Sequence, residues 1–334
     1  MNGEMLRVRR EMKPCGGVKC AEARGSSAAF ADDMRQSRNL PLRRRGKYFN
    51  KAGGFMKITI VGLGLIGGSL AKSLRGFKNA QLCGCDTNAQ VLEKALADGV
   101  IDAASQAKDA VSGADLVLLC LYPTACVDFV RDNAAYFKPG AVISDTAGIK
   151  GYLTENIAAV LPEGVDFVGA HPMAGREKGG YNSSVKELFA GAAYLIVPGA
   201  ARAESVRLIE EMAQYIGCRK SVICDSETHD AMIAYTSQLM HVVAAALCDS
   251  PYLRRSADFS AGSLRDCTRV ALINAPMWSE LFCENSDALC ARIEEFEHSL
   301  DKIKTAVRTH DFDALCEILS AARENKLSYL AELE

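Results

Sequence analysis

The segment VGLGLIGGSLA, residues 61–71, restricts the fold of this chain more than any other feature. It follows the β-branched run KITIV and precedes an apolar stretch with helical spacing, which indicates a strand, a glycine-rich loop and a helix. In the pattern Gly-x-Gly-x-x-Gly, the first glycine permits a tight turn, the second lets a pyrophosphate approach the backbone, and the third lets helix and strand pack closely. The pyrophosphate lies at the positive end of the helix. The predicted dinucleotide-binding residues of this loop are Gly62, Gly64, Leu65, Ile66 and Gly67.

Asp86 supplies the second part of this fingerprint. It follows the predicted strand QLCGC, near the spacing of roughly 20 residues that the dinucleotide-binding fold sets between loop and acid. A carboxylate at this point accepts hydrogen bonds from the adenosine ribose hydroxyls and repels the 2′-phosphate of NADP. The loop and the acid together therefore predict NAD as the cofactor.

Four further apolar runs are predicted strands, and they alternate with segments that favour helices. The runs are DLVLLCLY (115–122), GAVISD (140–145), VDFVGA (165–170) and AAYLIVP (192–198). Continuously apolar strands that alternate with helices are typical of a parallel sheet covered on both faces. Ligands bind beyond the carboxyl ends of such strands, where this sequence places Thr146 and His171. We predict an α/β Rossmann-type dinucleotide-binding domain over residues 56–225.

From Ser226 to the end of the chain the sequence favours helices. Asp225 and Ser226 are suitable capping residues for a helix whose apolar positions run from Met232 to Leu247. The segments 288–311 and 313–334 also show helical spacing with charged outer faces. We predict an all-α substrate-binding and dimerisation domain over residues 226–334, which would bury its apolar surface by forming a homodimer.

Residues 1–55 differ from the rest in charge, with 13 Lys and Arg against 5 Asp and Glu, and they contain few apolar residues. Such a segment cannot bury enough surface to offset its ordering entropy, so we predict a disordered basic leader. It lacks the apolar core of a secretory signal, and Met56, just before KITIV, is the expected natural start. The rest of the chain carries 26 basic against 36 acidic residues, which disfavours nucleic-acid binding.

The cysteines, histidines and apolar runs disfavour three other classes of protein. The 13 cysteines show no CxxC pairs, so we expect reduced thiols in a cytoplasmic protein. No two of the histidines His229, His298 and His310 lie four residues apart, as the ligands of a helical metal site would, so no metal site is predicted. The apolar run MHVVAAAL (240–247) is too short for a membrane span of roughly 18 residues, so no membrane partner is predicted.

His171 is a candidate catalytic base from its position alone. It follows the predicted strand VDFVGA, in the sequence HPMAGREKGG, and is therefore expected at the edge of the sheet that faces the cofactor. An imidazole titrates near neutrality and can accept a proton from a hydroxyl while hydride leaves the substrate. A histidine at a strand end can equally cap a loop, so position leaves both roles open.

Six segments resemble, in order, the prephenate dehydrogenase family: GLGLIGGS, SDTAGIKG, HPMAGRE, SQLMH, LRDCTRVA and PMWSELFCEN. The resemblance covers essentially residues 56–300, and the motifs HPMAG and RDxTR are far more specific than the glycine loop. It implies oxidative decarboxylation of prephenate to 4-hydroxyphenylpyruvate with NAD as hydride acceptor, a step of tyrosine biosynthesis. It also implies an intertwined homodimer.

The resemblance implies roles for individual residues of this chain. His171 matches the catalytic histidine, which accepts the proton of the C4 hydroxyl, and His241 would line the pocket and help to orient the substrate. Arg269 would hold a substrate carboxylate through its forked donors. Glu177 matches an acidic residue near the pocket entrance. Apart from the resemblance, Met277 and Trp278 are expected to be core residues.

The chain departs from the family pattern at Gly148. Many members carry a serine there, whose hydroxyl helps to position the catalytic histidine and the substrate hydroxyl. Glycine cannot form this bond, so Thr146 is the predicted substitute, with an ordered water or no replacement as the alternatives. Asp145 and Lys150 match the pattern on either side, and Lys150 could either act in the site or cap the following helix.

Three alternative functions stay open at this point. Arogenate, the aminated relative of prephenate, could be the substrate. A 3-hydroxyacid dehydrogenase with the same two-domain plan would use a lysine from the helical domain, but the sequence has none between Ser221 and Asp301. A catalytically silent NAD-sensing protein is disfavoured by the joint presence of the two matched histidines and the matched arginine, although Gly148 leaves room for it.

Overall fold

The computed structural model describes residues 55–333 apart from Glu177. The predicted disordered leader therefore lies, except for Phe55, outside the described residues. The same holds for the predicted role of Glu177.

An eight-stranded sheet, in the order β3-β2-β1-β4-β5-β6-β7-β8, forms the centre of the N-terminal part. Its strands are β1 (Lys57–Val61), β2 (Gln81–Cys85), β3 (Ala103–Ala104), β4 (Leu116–Leu119), β5 (Val142–Asp145), β6 (Asp166–Pro172), β7 (Ala193–Val197) and β8 (Lys220–Ile223). The first six strands follow the strand order of the doubly wound dinucleotide-binding fold. The predicted Rossmann-type fold class is confirmed.

The structure corrects two details of the predicted sheet. It is not parallel throughout, because β7 runs antiparallel to β6, with His171 opposite Leu195. Two strands also escaped the sequence analysis. One of them, β3, has only two residues, and the other, β8, is a partly exposed strand without a continuous apolar run.

Six helices cover the two faces of the sheet. They are α1 (Leu65–Ser73), α2 (Ala89–Ala97), α3 (Ala107–Val111), α4 (Pro123–Asn133), α5 (Gly151–Ala158) and α6 (Ala203–Tyr215). Helices α1, α2 and α6 pack into one apolar cluster with the strands, and α3, α4 and α5 pack into a second. A sheet buried on both faces explains why its central strands are continuously apolar.

The C-terminal part is helical. It contains α7 (Ser226–Ile233), α8 (Leu239–Cys248), α9 (Gly262–Thr268), α10 (Ala275–Cys283), α11 (Ser286–Arg308) and α12 (Phe312–Leu333). Asp225 caps α7, since its side chain accepts a hydrogen bond from the Thr228 amide at 2.6 Å. The predicted cap and the predicted helical class of this part are confirmed.

Helices α7 and α8 join through a π-helical turn, Ala234–Gln238, into one run from Ser226 to Cys248. By length and composition alone this run could cross a membrane, because its most apolar stretch of 18 residues has a mean hydropathy of 1.5. The sequence prediction considered only the uninterrupted apolar run 240–247, which is shorter than this helix. A core helix can have the same length and composition; in this run Leu239 and Ala244 are buried, but only 28% of the apolar stretch is buried within the described chain.

A buried polar group joins the helical part to the sheet. Lys150 and Asp145 form an ion pair at 2.6 Å in which both side chains are 0% exposed. The Lys150 ammonium also donates to the carbonyl oxygens of Ala147 and Ile149. At the start of α5, the carboxylate of Asp230 on α7 accepts hydrogen bonds from the amides of Lys150 and Gly151, at 2.8 and 2.7 Å.

Lys150→Met should lower the free energy of unfolding by about 3–5 kcal/mol, because the Asp145 carboxylate would remain buried without its counter-charge. Lys138→Met is the matched control, since it removes a 2.6 Å pair with Asp115 that is partly exposed, and it should cost no more than about 1 kcal/mol. Urea unfolding of both variants measures the difference. Equal losses would show that the buried pair has no special role in stability.

Candidate active site

A cavity of about 1170 Å³ lies where the carboxyl ends of the strands meet the C-terminal helices. Its wall includes the glycine loop, the segments after β4 and β5, the end of β6, and parts of α8 and α10. The predicted site residues among its lining are Gly64, Leu65, Ile66, Thr146, His171, His241 and Arg269. The structure therefore brings these seven predicted residues to one cavity, whereas Gly62, Gly67 and Asp86 are not among its lining.

The glycine loop has the geometry that a dinucleotide requires. Gly62 adopts a φ of 85°, and a Cβ on Gly67 would lie 1.9 Å from the Gly62 carbonyl oxygen. Those two positions therefore require glycine for the fold itself. A Cβ on Gly64 would meet nothing within 4 Å, so Gly64 leaves open space beside the first turn of α1. The amides of that turn have no side-chain cap and can bind an anion.

Asp86 lies beside this loop, just past the end of β2. One of its carboxylate oxygens accepts a hydrogen bond from the Leu63 amide at 2.7 Å, and the other accepts one from the Asn88 amide at 2.8 Å. These bonds hold the carboxylate at the loop while lone pairs remain for further donors. The arrangement fits the adenosine ribose of a dinucleotide.

His171 is the sixth residue of β6, inside the strand rather than just after it as predicted. Its Nδ1 atom lies 3.1 Å from Nε2 of His229. Burial, with the Lys150 ammonium and the neighbouring His229 adding to it, holds the pKa of His171 well below its ordinary value. His171 is therefore neutral near pH 7 and can accept a proton.

His229 is a site residue that the sequence analysis missed. It is 1% exposed, and its Nδ1 atom lies 2.7 Å from an oxygen of the adjacent Asp230. Burial lowers the pKa of His229, although the Asp230 carboxylate opposes that shift. We had considered this histidine only as a metal ligand. The adjacent His and Asp in the first turns of a capped helix were the signal that could have identified it.

The structure does not place Thr146 against His171 as a substitute for the missing serine. Thr146 lines the cavity, but its hydroxyl lies near the Leu119 carbonyl, at 3.5 Å. The hydrogen-bond partner of His171 is His229. A Cβ on Gly148 would lie 3.9 Å from Cε1 of His171, so a Cβ at that position would fit without a clash.

Trp278 and Met277 line the cavity, so the expectation that they are core residues was wrong. The indole of Trp278 stacks on the His241 ring with a centroid distance of 3.6 Å. His241 Nδ1 lies 2.9 Å from the Ser237 carbonyl, which leaves Nε2 as the other polar atom of the ring. Burial lowers the pKa of His241, the Ser237 carbonyl opposes this, and the Arg269 guanidinium lowers it further.

Among the described residues that line the cavity, all the charged side chains are positive. Three cationic side chains line it, those of Arg176, Lys178 and Arg269, and no Asp or Glu does. Within residues 55–333, excluding Glu177, no group of three or more His, Cys, Asp or Glu side chains could hold a metal ion. The described cavity is therefore suited to an anionic ligand.

Two family models match the chain. Residues 70–222 match "Prephenate dehydrogenase, nucleotide-binding domain", and residues 225–321 match "Prephenate dehydrogenase, dimerization domain". The cyclohexadienyl dehydrogenase of Zymomonas mobilis subsp. mobilis is 32% identical over 286 residues, which cover 82% of this chain and 96% of that protein.

Two solved structures are also similar. The prephenate dehydrogenase of A. aeolicus, in complex with hydroxyphenyl propionate and NAD⁺, has a TM-score of 0.75 and 28% identity, over 84% of this chain and 100% of that one. The arogenate dehydrogenase of Synechocystis has a TM-score of 0.72 and 26% identity, over 82% of this chain and 100% of that one.

Two glycine variants should separate the role of the loop in folding from its role in binding. Gly67→Ala should lower the free energy of unfolding by about 1–3 kcal/mol and weaken NAD binding, because its methyl group meets a backbone oxygen. Gly64→Ala should leave stability unchanged and weaken NAD binding at least roughly tenfold, because its methyl group occupies the phosphate side of the loop. Calorimetric titration with NAD, beside thermal unfolding, measures both. Unchanged affinity in Gly64→Ala would place the dinucleotide elsewhere.

Proposed function

The chain belongs to the prephenate dehydrogenase family, and from that premise we propose that it oxidatively decarboxylates prephenate to 4-hydroxyphenylpyruvate with NAD, in tyrosine biosynthesis. The observation that carries the proposal is a neutral, partly buried His171 in one cavity with the glycine loop and Arg269. The fold alone would fit many dehydrogenases, whereas this combination fits the removal of a hydroxyl proton from an anionic substrate.

We assign NAD binding to the glycine loop, residues 62–67, and to Asp86. The dinucleotide, when bound, supplies the hydride acceptor. Gly64 and the first turn of α1 would hold its pyrophosphate, and Asp86 would accept hydrogen bonds from its adenosine ribose.

His171 holds and returns one proton in this reaction. Its Nε2 atom takes the C4 hydroxyl proton as C4 loses hydride, which turns the carbinol into a carbonyl. The ring carboxylate then leaves as carbon dioxide, and its bonding electrons make the ring an aromatic phenolate. The phenolate takes the proton back from Nε2, so that His171 ends the cycle neutral and no net proton is released.

Arg269 and His241 are assigned to the substrate. Arg269 lines the cavity and is suited to a carboxylate, since a guanidinium offers two parallel donors. His241 is held flat against Trp278, so its ring can orient the substrate without moving. The two roles are distinct from proton transfer and should appear in KM more than in kcat.

Prephenate is proposed as the substrate in preference to arogenate. Prephenate carries two carboxylates and a keto group, whereas arogenate carries an ammonium group in place of the keto oxygen. The cavity offers three cations, and its described lining offers no carboxylate to pair with an ammonium. An unpaired ammonium beside these cations is disfavoured by like-charge repulsion.

A homodimer in the cytoplasm completes the proposal. Helices α11 and α12 leave apolar side chains exposed in the single chain, among them Leu300, Val307, Phe312, Leu319 and Leu330. A second copy that covers them would remove this surface from water. The eleven described cysteines are all free, as expected in a reducing compartment.

The purified chain should form NADH with prephenate, with a kcat/KM at least roughly tenfold above that for arogenate. His171→Asn should lower kcat roughly 10²- to 10⁴-fold and leave NAD affinity unchanged, because the amide cannot accept the proton. NADH absorbance and calorimetric titration measure the two quantities.

Each unexpected result would overturn a different part of the proposal. Turnover with arogenate alone would reverse the substrate preference, and Glu177→Gln would then test whether that carboxylate binds the ammonium. NAD binding without turnover of either substrate would favour the catalytically silent alternative. An unchanged kcat in His171→Asn would exclude this histidine as the base.

The pH dependence should reflect the depressed pKa of His171. The base must be neutral, and a lowered pKa means that it gains a proton only at lower pH. We expect kcat/KM for prephenate at saturating NAD to stay constant from pH 8 down to about 6.5, the ordinary histidine value, and to fall below it. A half-maximal value above pH 6.5 in rate measurements at constant ionic strength would contradict the depressed pKa.

A further inference from the structure

The contact between the imidazoles of His171 and His229 determines where their protons lie. His229 Nδ1 is 2.7 Å from the Asp230 carboxylate, which can only accept a hydrogen bond, so His229 donates from Nδ1. Nε2 of neutral His229 then carries a lone pair. At 3.1 Å it accepts a hydrogen bond from Nδ1 of His171, which leaves Nε2 of His171 unprotonated.

The direction of this chain of hydrogen bonds is set by backbone groups. The Asp230 oxygen that faces His229 also accepts a hydrogen bond from the Lys150 amide, and the other oxygen accepts one from the Gly151 amide. Three donors therefore hold the carboxylate in one orientation at the N-terminus of α5. The buried Lys150 ammonium has its own counter-charge in Asp145, so Asp230 remains available to the histidines.

His171 has no other hydrogen bond in the described structure that could perform this task. Position 148 is a glycine, and Thr146 lies by the Leu119 carbonyl. The tautomer of His171 therefore depends on His229.

We propose that His229 is a positioning residue for the proposed reaction. With Asp230 it keeps the proton of His171 on Nδ1, leaves Nε2 free for the substrate hydroxyl, and shares the positive charge while His171 holds the substrate proton. The inference rests on the proposed function for its kinetic consequence, but its structural content is a tautomer that can be observed directly.

The first test is spectroscopic. The chain has five histidines, so selective ¹⁵N-histidine labelling of the full-length protein gives a spectrum that single variants can assign. At pH 8, we expect His171 with a protonated Nδ1 and an unprotonated Nε2, and His229 with a protonated Nδ1. His229→Gln should change His171 to a mixture of tautomers. A proton on Nε2 of His171 in the wild type, or an unchanged His171 in the variant, would overturn the proposal.

The second test is kinetic. His229→Gln should lower kcat roughly 10²-fold, while the KM for prephenate and the Kd for NAD stay within about threefold. The variant loses both the proton placement and the imidazole that shares the positive charge, and it keeps the binding groups. An unchanged kcat would overturn the proposal. So would a loss in which kcat, KM, Kd and melting temperature all change, since that pattern indicates a merely structural role.

Two further variants keep the test decisive. His229→Asn replaces the glutamine variant if the latter does not fold. His298→Gln, on the exposed surface of α11, is the matched control and should change neither kcat nor the His171 tautomer. If the wild type oxidises neither prephenate nor arogenate, the proposed function fails, and the tautomer measurement still decides this inference.

Discussion

The buried ion pair of Lys150 and Asp145 is the constraint around which the rest of the site is arranged. Charges without solvent are tolerated only when their hydrogen bonds are complete, and here both side chains are fully buried and fully bonded. Asp145 also accepts a hydrogen bond from the Ala170 amide, which fixes the strand just before His171. The pair therefore affects both the position of His171 and its electrostatic environment.

Asp230 connects this arrangement to the helical part of the chain. It comes from α7, yet it binds the first amides of α5, which follows the sheet strand β5. Asn285, at the start of α11, donates to the Asp230 carbonyl oxygen and to Gln238. The polar network thus extends from the sheet through α7 to α11, and Gln238 brings it to the wall of the cavity.

The sequence was sufficient for what local patterns determine. Four features follow from local patterns, and the structure contains each of them: the tight glycine loop, Asp86 beside that loop, the Asp225 cap and the apolar strands of the sheet. What it could not determine depends on contacts between distant segments. No periodic pattern in the sequence indicates that β7 runs antiparallel to β6, or that His229 contacts His171, 58 residues away. Trp278 looked like a core residue because its stacking partner, His241, lies on another helix.

The separation of Asp230 from Lys150, 80 residues along the chain, has a consequence for the order of folding. The sheet part can assemble from βα units whose strands are near in sequence, whereas the link to α7 closes a long loop and carries a larger entropy cost. If the sheet has formed but α7 has not yet docked, the glycine loop can already bind the dinucleotide. His171 would then still lack its contact with His229 on α7. Nucleotide binding should therefore return early in refolding, and catalytic competence should return only when the two parts of the chain dock.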